Sequence, residues 1–114
     1  MEFDANRPIY LQIADALCNS ILDGRLKAEE RIPSVREYGA QIGVNPNTVA
    51  RTYDTLTAQG VIYNKRGIGF FVCEDAAKSI RKTAREKFLK EDLPNFLELA
   101  RRLDISKEEL VKLI

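Results

Sequence analysis

Tyr10, Ile13, Leu17 and Ile21 recur at helical spacing, Pro8 suits a first helical turn, and Gly24 stands where such a helix stops. This pattern predicts a helix over about residues 8–23. The stretch RLKAEERIP that follows is polar and aperiodic, and it ends at Pro33, which turns Ile32 away from helical backbone. It is expected to be a connector. Ser34 and Glu37 form an S-x-x-E capping box, Val35, Tyr38 and Ile42 make a short apolar stripe, and Gly43 can take the left-handed conformation that ends a helix. Asn45 fits an N-cap and Pro46 the position after it, and Val49, Tyr53 and Leu56 form the next stripe, which stops before Gly60. Two amphipathic helices joined by about three residues form a helix-turn-helix.

After Gly60 the period changes. VIYNK and IGFFVC are rich in β-branched and aromatic residues, and the Arg66-Gly67 step between them suits a tight reversal, so a hairpin is expected over 61–73. From Ala76 onward the pattern is helical again, first through Ala77, Ile80, Ala84 and Phe88, then from Pro94 through Phe96, Leu97, Ala100 and Leu103. A last capping box, Ser106 to Glu109, opens a short helix carrying Leu110, Val111 and Ile114. The expected fold is mainly α with a small β-hairpin: a winged helix-turn-helix over 1–75, then a short helical region over 76–114.

Composition narrows the chemistry. The 114 residues carry 18 lysines and arginines against 17 acids, a formal charge of +1, which excludes a bulk polycation acting through net charge alone. Histidine is absent, which removes imidazole bases, His-based triads and the commonest metal ligand. Cys18 and Cys73 lack any CxxC or neighbouring ligand pattern, and are expected to be buried thiols without a metal or a disulfide. RGIGFF lacks the strand-to-helix context of a phosphate-binding loop. No enzyme, cofactor or metal is therefore expected. No run approaches the roughly 18 apolar residues of a membrane span, so the location expected by default is cytoplasmic.

The distribution of charge says more than its total. Residues 31–73 hold Arg31, Arg36, Arg51, Lys65 and Arg66 against Glu37 and Asp54. These bases fall at the start of the second helix, on the outer face of the third and at the hairpin tip, three places expected to converge. With Val49, Tyr53 and Leu56 turned inward, Asn47, Thr48, Arg51, Thr52 and Thr55 are expected to face solvent. Short donors and acceptors with one arginine suit a major groove: asparagine reads adenine, arginine reads guanine or holds phosphate, and threonine meets a phosphate or a thymine methyl. An ordinary exposed helix face would favour Glu, Lys and Gln.

These residues resemble the winged helix-turn-helix of the GntR family of bacterial transcription regulators. The resemblance spans about residues 8–73 and rests on the opening P-I-Y-x-Q-I, the P-S-x-R-E entry, G-V-N-P-N-T-V-x-R-x-Y in the third helix and R-G-x-G-x-F-V in the hairpin. The short chain and the N-P-N-T-V form are most similar to the YtrA-like subgroup, whose C-terminal part is a small helical dimerisation region. The resemblance implies that Arg36 contacts DNA, that Asn45, Asn47, Thr48 and Arg51 lie at the groove, and that the wing around Arg66 and Gly67 approaches the minor groove. Thr52 and Lys65 complete the DNA-binding set by their expected position on these elements. Pro46 and Ala50 stand where many other branches of the family carry arginine, so their base-reading scheme does not transfer.

The tail stripes, with Ile80, Ala84, Phe88, Phe96, Leu97, Leu103 and Leu110, are expected to meet a second copy of the chain. The function expected is a homodimeric repressor occupying an inverted-repeat operator in double-stranded DNA. The rival reading is a winged helix used as a protein-interaction module, disfavoured because the third helix shows no exposed aromatic anchor. The sequence specifies no effector; a groove formed between two tails would be the place for one.

Overall fold

The computed structural model describes residues 1–114, which divide into two compact units, Met1–Arg81 and Lys82–Ile114. In the first unit α1 spans Ile9–Leu22, with Pro8 as its N-cap, and α2 spans Val35–Ile42. The expected capping box is present: the Ser34 hydroxyl accepts from the Glu37 amide at 3.1 Å, and the Glu37 carboxylate accepts from the Ser34 amide at 3.2 Å. These bonds hold the Glu37 carboxyl below its ordinary range, with Arg31 adding to the effect. Gly43 closes α2 at φ 69°, and α3 then spans Pro46–Ala58, with the Asn45 Oδ1 accepting from the Asn47 amide at 2.8 Å.

The turn between α2 and α3 is tight because Gly39 has no side chain. A Cβ at Gly39 would lie 2.7 Å from the Val44 carbonyl oxygen, and the Val44 amide donates to the Gly39 carbonyl at 2.9 Å. The core then forms where α1 and α3 face each other, through Ile13, Leu17 and Ile21 on one side and Val49, Tyr53 and Leu56 on the other. Each such side chain contributes on the order of 1.5–3 kcal/mol through removal from water. The Tyr53 ring meets Phe70 edge-on at 4.9 Å, and its hydroxyl donates to the Pro33 carbonyl at 2.7 Å, so its one polar atom is satisfied inside the core.

Strands β1 (Ile62–Lys65) and β2 (Gly69–Val72) pair antiparallel, with Lys65 opposite Gly69, and enclose a three-residue turn, Arg66–Ile68. The connector differs from the sequence expectation. The Glu29 amide donates to Val72, the Val72 amide to Glu30 and the Ile32 amide to Phe70, each at 2.9 Å, with a bridge between Arg31 and Phe71. Residues 29–32 therefore run along the free edge of β2, which becomes the middle of three extended segments. A run with one buried apolar residue, Ile32, carries no alternation from which this pairing could be read.

Helix α4 spans Ala76–Lys87, and the division between the units falls inside it. Ala76 and Ile80 fill the core of the first unit. Ile80, expected among the tail residues that meet a partner, is only 8% exposed and has little surface to offer one. Beyond it, the expected break at Pro94 takes the form of a π turn, Phe88–Asp92, leading into α5 (Leu93–Arg102). Pro94 lacks an N–H and its ring would meet the carbonyl of the preceding turn; the wider turn, with the Leu93 amide donating to the Phe88 carbonyl, accommodates it. Helix α6 spans Lys107–Leu113, and Ser106 caps it by accepting from the Glu109 amide at 3.1 Å.

The second unit has almost no interior. Ala100 is its one buried residue, while Ala84, Phe88, Leu89, Phe96, Leu97, Leu99 and Leu103 are exposed and Leu110 is half-buried. No helix of the chain is long and apolar enough to cross a membrane.

Candidate nucleic-acid interface

The outward face of α3 is set by its buried one. With Val49, Tyr53 and Leu56 inside, Asn47, Arg51 and Asp54 point to solvent, flanked by the half-exposed Thr48, Ala50 and Thr55. Asn45 and Asn47 lie exposed at the start of the helix, where the Asn45 oxygen is committed to the cap and its amide N–H groups stay free. Arg36 is exposed in the first turn of α2, and Lys65, Arg66 and Gly67 are exposed at the hairpin tip. Gly67 takes φ 80° and Gly69 φ 143°, conformations that suit glycine and form this tip.

Thr52 is a correction. Expected on the solvent face, it is fully buried, and its hydroxyl donates to the Tyr10 carbonyl on α1 at 2.8 Å. It lies three residues after Val49 and four before Leu56, which places it within the inward stripe, and its polar character was the wrong guide. Thr52→Val keeps the shape and removes this bond, so it is expected to cost about 1 kcal/mol of stability. A urea titration checks it; unchanged stability together with an altered base preference would return Thr52 to the interface.

Arg31 is a residue whose place the sequence did not reveal. Its Nε lies 3.0 Å from where a Cβ of Gly69 would stand, so its guanidinium rests on the hairpin beside the tip. Its position before Ile32-Pro33 marked it only as one base among five. Lys65 extends over the Phe71 ring with its Nζ 5.0 Å from the centre, and the Arg51 guanidinium carbon stands 3.9 Å from the centre of the Tyr10 ring.

None of these bases is held by a carboxylate of the chain, a property they share with Lys78, Arg81, Lys82 and Arg85 of α4. The salt bridges of the chain join Arg7 to Asp15, Arg25 to Asp23, Lys87 to Asp92, and Arg101 and Arg102 to Glu98. Arg31, Arg36, Arg51, Lys65 and Arg66 are in none of them. Five cations without carboxylate partners, on the 29–32 segment, α2, α3 and the hairpin, are available to phosphate, and Asn47 and Thr48 share α3 with Arg51.

The thiols offer no reactive group. Burial, with Asp15 nearby, pushes Cys18 up to about 11, and burial also raises Cys73, so neither carries appreciable thiolate at neutral pH.

Residues 9–72 match the family model described as bacterial regulatory proteins, gntR family. Among characterised relatives, the HTH-type transcriptional repressor YtrA of Bacillus subtilis is 33% identical over 106 residues, covering 93% of this chain and 81% of that one. Among solved structures, a GntR-family transcriptional regulator from Bacteroides thetaiotaomicron is 51% identical with a TM-score of 0.80, covering 91% of this chain and 90% of that one. The DNA-binding domain of AraR in complex with operator ORR3 is 30% identical with a TM-score of 0.57, covering 64% of this chain and 86% of that one.

Proposed function

Because the chain belongs to the GntR family of bacterial regulatory proteins, we propose that it is a dimeric, cytoplasmic repressor that occupies an inverted-repeat operator. Residues 1–75 act as the DNA-binding domain and 76–114 as the dimerisation tail, with Ala76 and Ile80 anchoring the start of that tail in the core of the first unit. Helix α3 enters the major groove with Asn45, Asn47, Thr48 and Arg51 at base edges and phosphates, Arg36 holds the backbone, and Lys65, Arg66 and Gly67 approach the minor groove. The observation that carries this reading is the outward face of α3, where exposed Asn47 and Arg51 and half-exposed Thr48 stand opposite the buried Val49, Tyr53 and Leu56, with Arg36 and the hairpin-tip bases free of carboxylate partners. The likeness to the DNA-binding domain of AraR, solved in complex with an operator, supports DNA as the partner. The exposed apolar side chains of the second unit support a partner copy.

Selection of duplexes from a random library tests the proposal, and an enriched inverted repeat is the expected result. Retention without enrichment would favour a protein-interaction module. On the enriched duplex, affinity is expected to fall with salt at a log–log slope of about −0.9 per neutralised phosphate. Arg51→Ala is expected to weaken specific binding by about 1 to 3 kcal/mol and to relax discrimination at one position of each half-site. An equal loss on every sequence would reduce Arg51 to a phosphate clamp.

A further inference from the structure

The opening motif P-I-Y-x-Q-I holds two residues with separate structural tasks. Gln12 ties down the N-terminal segment: its Nε2 donates to the carbonyls of Asp4 at 2.6 Å and Arg7 at 2.9 Å, and its Oε1 accepts from the Asp4 amide at 2.7 Å. Tyr10 faces α3 instead. Its ring lies against the Arg51 guanidinium at 3.9 Å, and its carbonyl accepts the Thr52 hydroxyl at 2.8 Å. The residue that follows Arg51 in the helix is therefore bonded to the backbone of the residue whose ring Arg51 covers. Ring and guanidinium are registered to each other through one buried bond.

Arg51 has no other restraint. The guanidinium hydrogen bonds within the chain are those of Arg7, Arg25 and Arg101, and Asp54, three residues further along α3, does not pair with Arg51. A free arginine on a helix surface samples many rotamers, and each must be given up when it meets a base. A carboxylate partner would restrict it, but would occupy the N–H edge that a guanine or phosphate needs. A ring face restricts the guanidinium plane and uses none of its five donors.

We propose that Tyr10 is a positioning residue for recognition: its ring holds the Arg51 guanidinium with the N–H edge free, and so sets discrimination at the base pair that Arg51 reads. This inference rests on the assignment of α3 as the recognition element. It places a determinant of operator preference on α1, outside the helix-turn-helix and the wing.

A double-mutant cycle on the full chain tests it, using Tyr10→Leu, Tyr10→Phe and Arg51→Ala, the duplex selected by the wild-type protein, and single-base-pair variants of that duplex. Tyr10→Leu is expected to weaken binding to the selected duplex about two- to fivefold, the scale of an exposed cation–π contact, and to lower discrimination at the position that Arg51→Ala relaxes. In the Arg51→Ala background the same change should add nothing, and Tyr10→Phe should bind as wild type. Equal losses with and without Arg51, or Tyr10→Phe as damaging as Tyr10→Leu, would overturn the inference while leaving Arg51 a DNA contact. Wild-type binding by Arg51→Ala would remove Arg51 from the interface, and with it both the recognition reading of that residue and the role given to Tyr10. Melting curves identify any variant unfolded at the assay temperature; Tyr10→Met then replaces Tyr10→Leu in the same cycle.

Discussion

Phe96→Asp with Leu97→Asp is expected to leave a folded monomer that binds the operator at least about 100-fold more weakly than the parent, because two linked half-site contacts become one. Both side chains are about half exposed, at 52% and 49%, so charging them removes little from the protomer's own packing. In a symmetric dimer each substitution acts twice, and four carboxylates would enter an interface that the apolar residues of α5 would otherwise form. The second unit buries only Ala100, which leaves this surface without an intramolecular partner. Sedimentation equilibrium and operator titration check the result together. A parent protein that is monomeric at micromolar concentration, or a variant that stays dimeric, would exclude α5 from the interface.

The second large effect is on stability. Gly39→Ala is expected to lower it by about 2 to 3 kcal/mol, although alanine gains about 1 kcal/mol over glycine in an unconstrained helix. The new Cβ would stand 2.7 Å from the Val44 carbonyl oxygen, with Pro46 Cα at 3.6 Å, and these are backbone atoms that no side-chain rotation can move aside. Relief requires α2 and α3 to separate at their turn, which disturbs the placement of Asn45 and Asn47 and weakens operator binding as well. For a domain of this size the loss corresponds to a fall in Tm of about 10 °C or more. A melting temperature equal to or above that of the parent would show that the turn yields without cost.

The helices of the first unit were legible because their ends are local. Ser34 with Glu37, Asn45 with Pro46, and Gly43 state in a few adjacent residues where α2 stops and α3 begins. The exposure of Asn47 and Arg51 follows from the period of the buried positions of α3, whereas Thr52, polar in type, lies by position on the buried side. What the sequence hid was non-local. Arg31 and Glu29–Ile32 gain their role from β2, some forty residues downstream, and nothing in their own composition announces an extended segment. The contact of Tyr10 with Arg51 is of the same kind, since the two share no helix. In the tail the apolar stripes were plain, but Ile80 belongs to the stripe of one unit and Phe96 to that of another, and a continuous period does not mark the change.

The third extended segment along β2 also bears on how the hairpin moves. A two-stranded ribbon is marginal by itself in water and would open independently of the protein it decorates. Here the amides of Glu29, Ile32 and Val72 cross-link the ribbon to the chain that enters α2, and Ile32, Ile62 and Val72 are sealed in the core. Opening the base of the hairpin therefore requires much of the free energy of global unfolding, whereas the exposed Arg66–Ile68 tip is held by a single turn bond, from the Ile68 amide to the Lys65 carbonyl at 2.9 Å, and opens at lower cost. The result is a stiff lever with a softer end: the base is tied to the chain that enters α2, and the tip is the part left free to adjust.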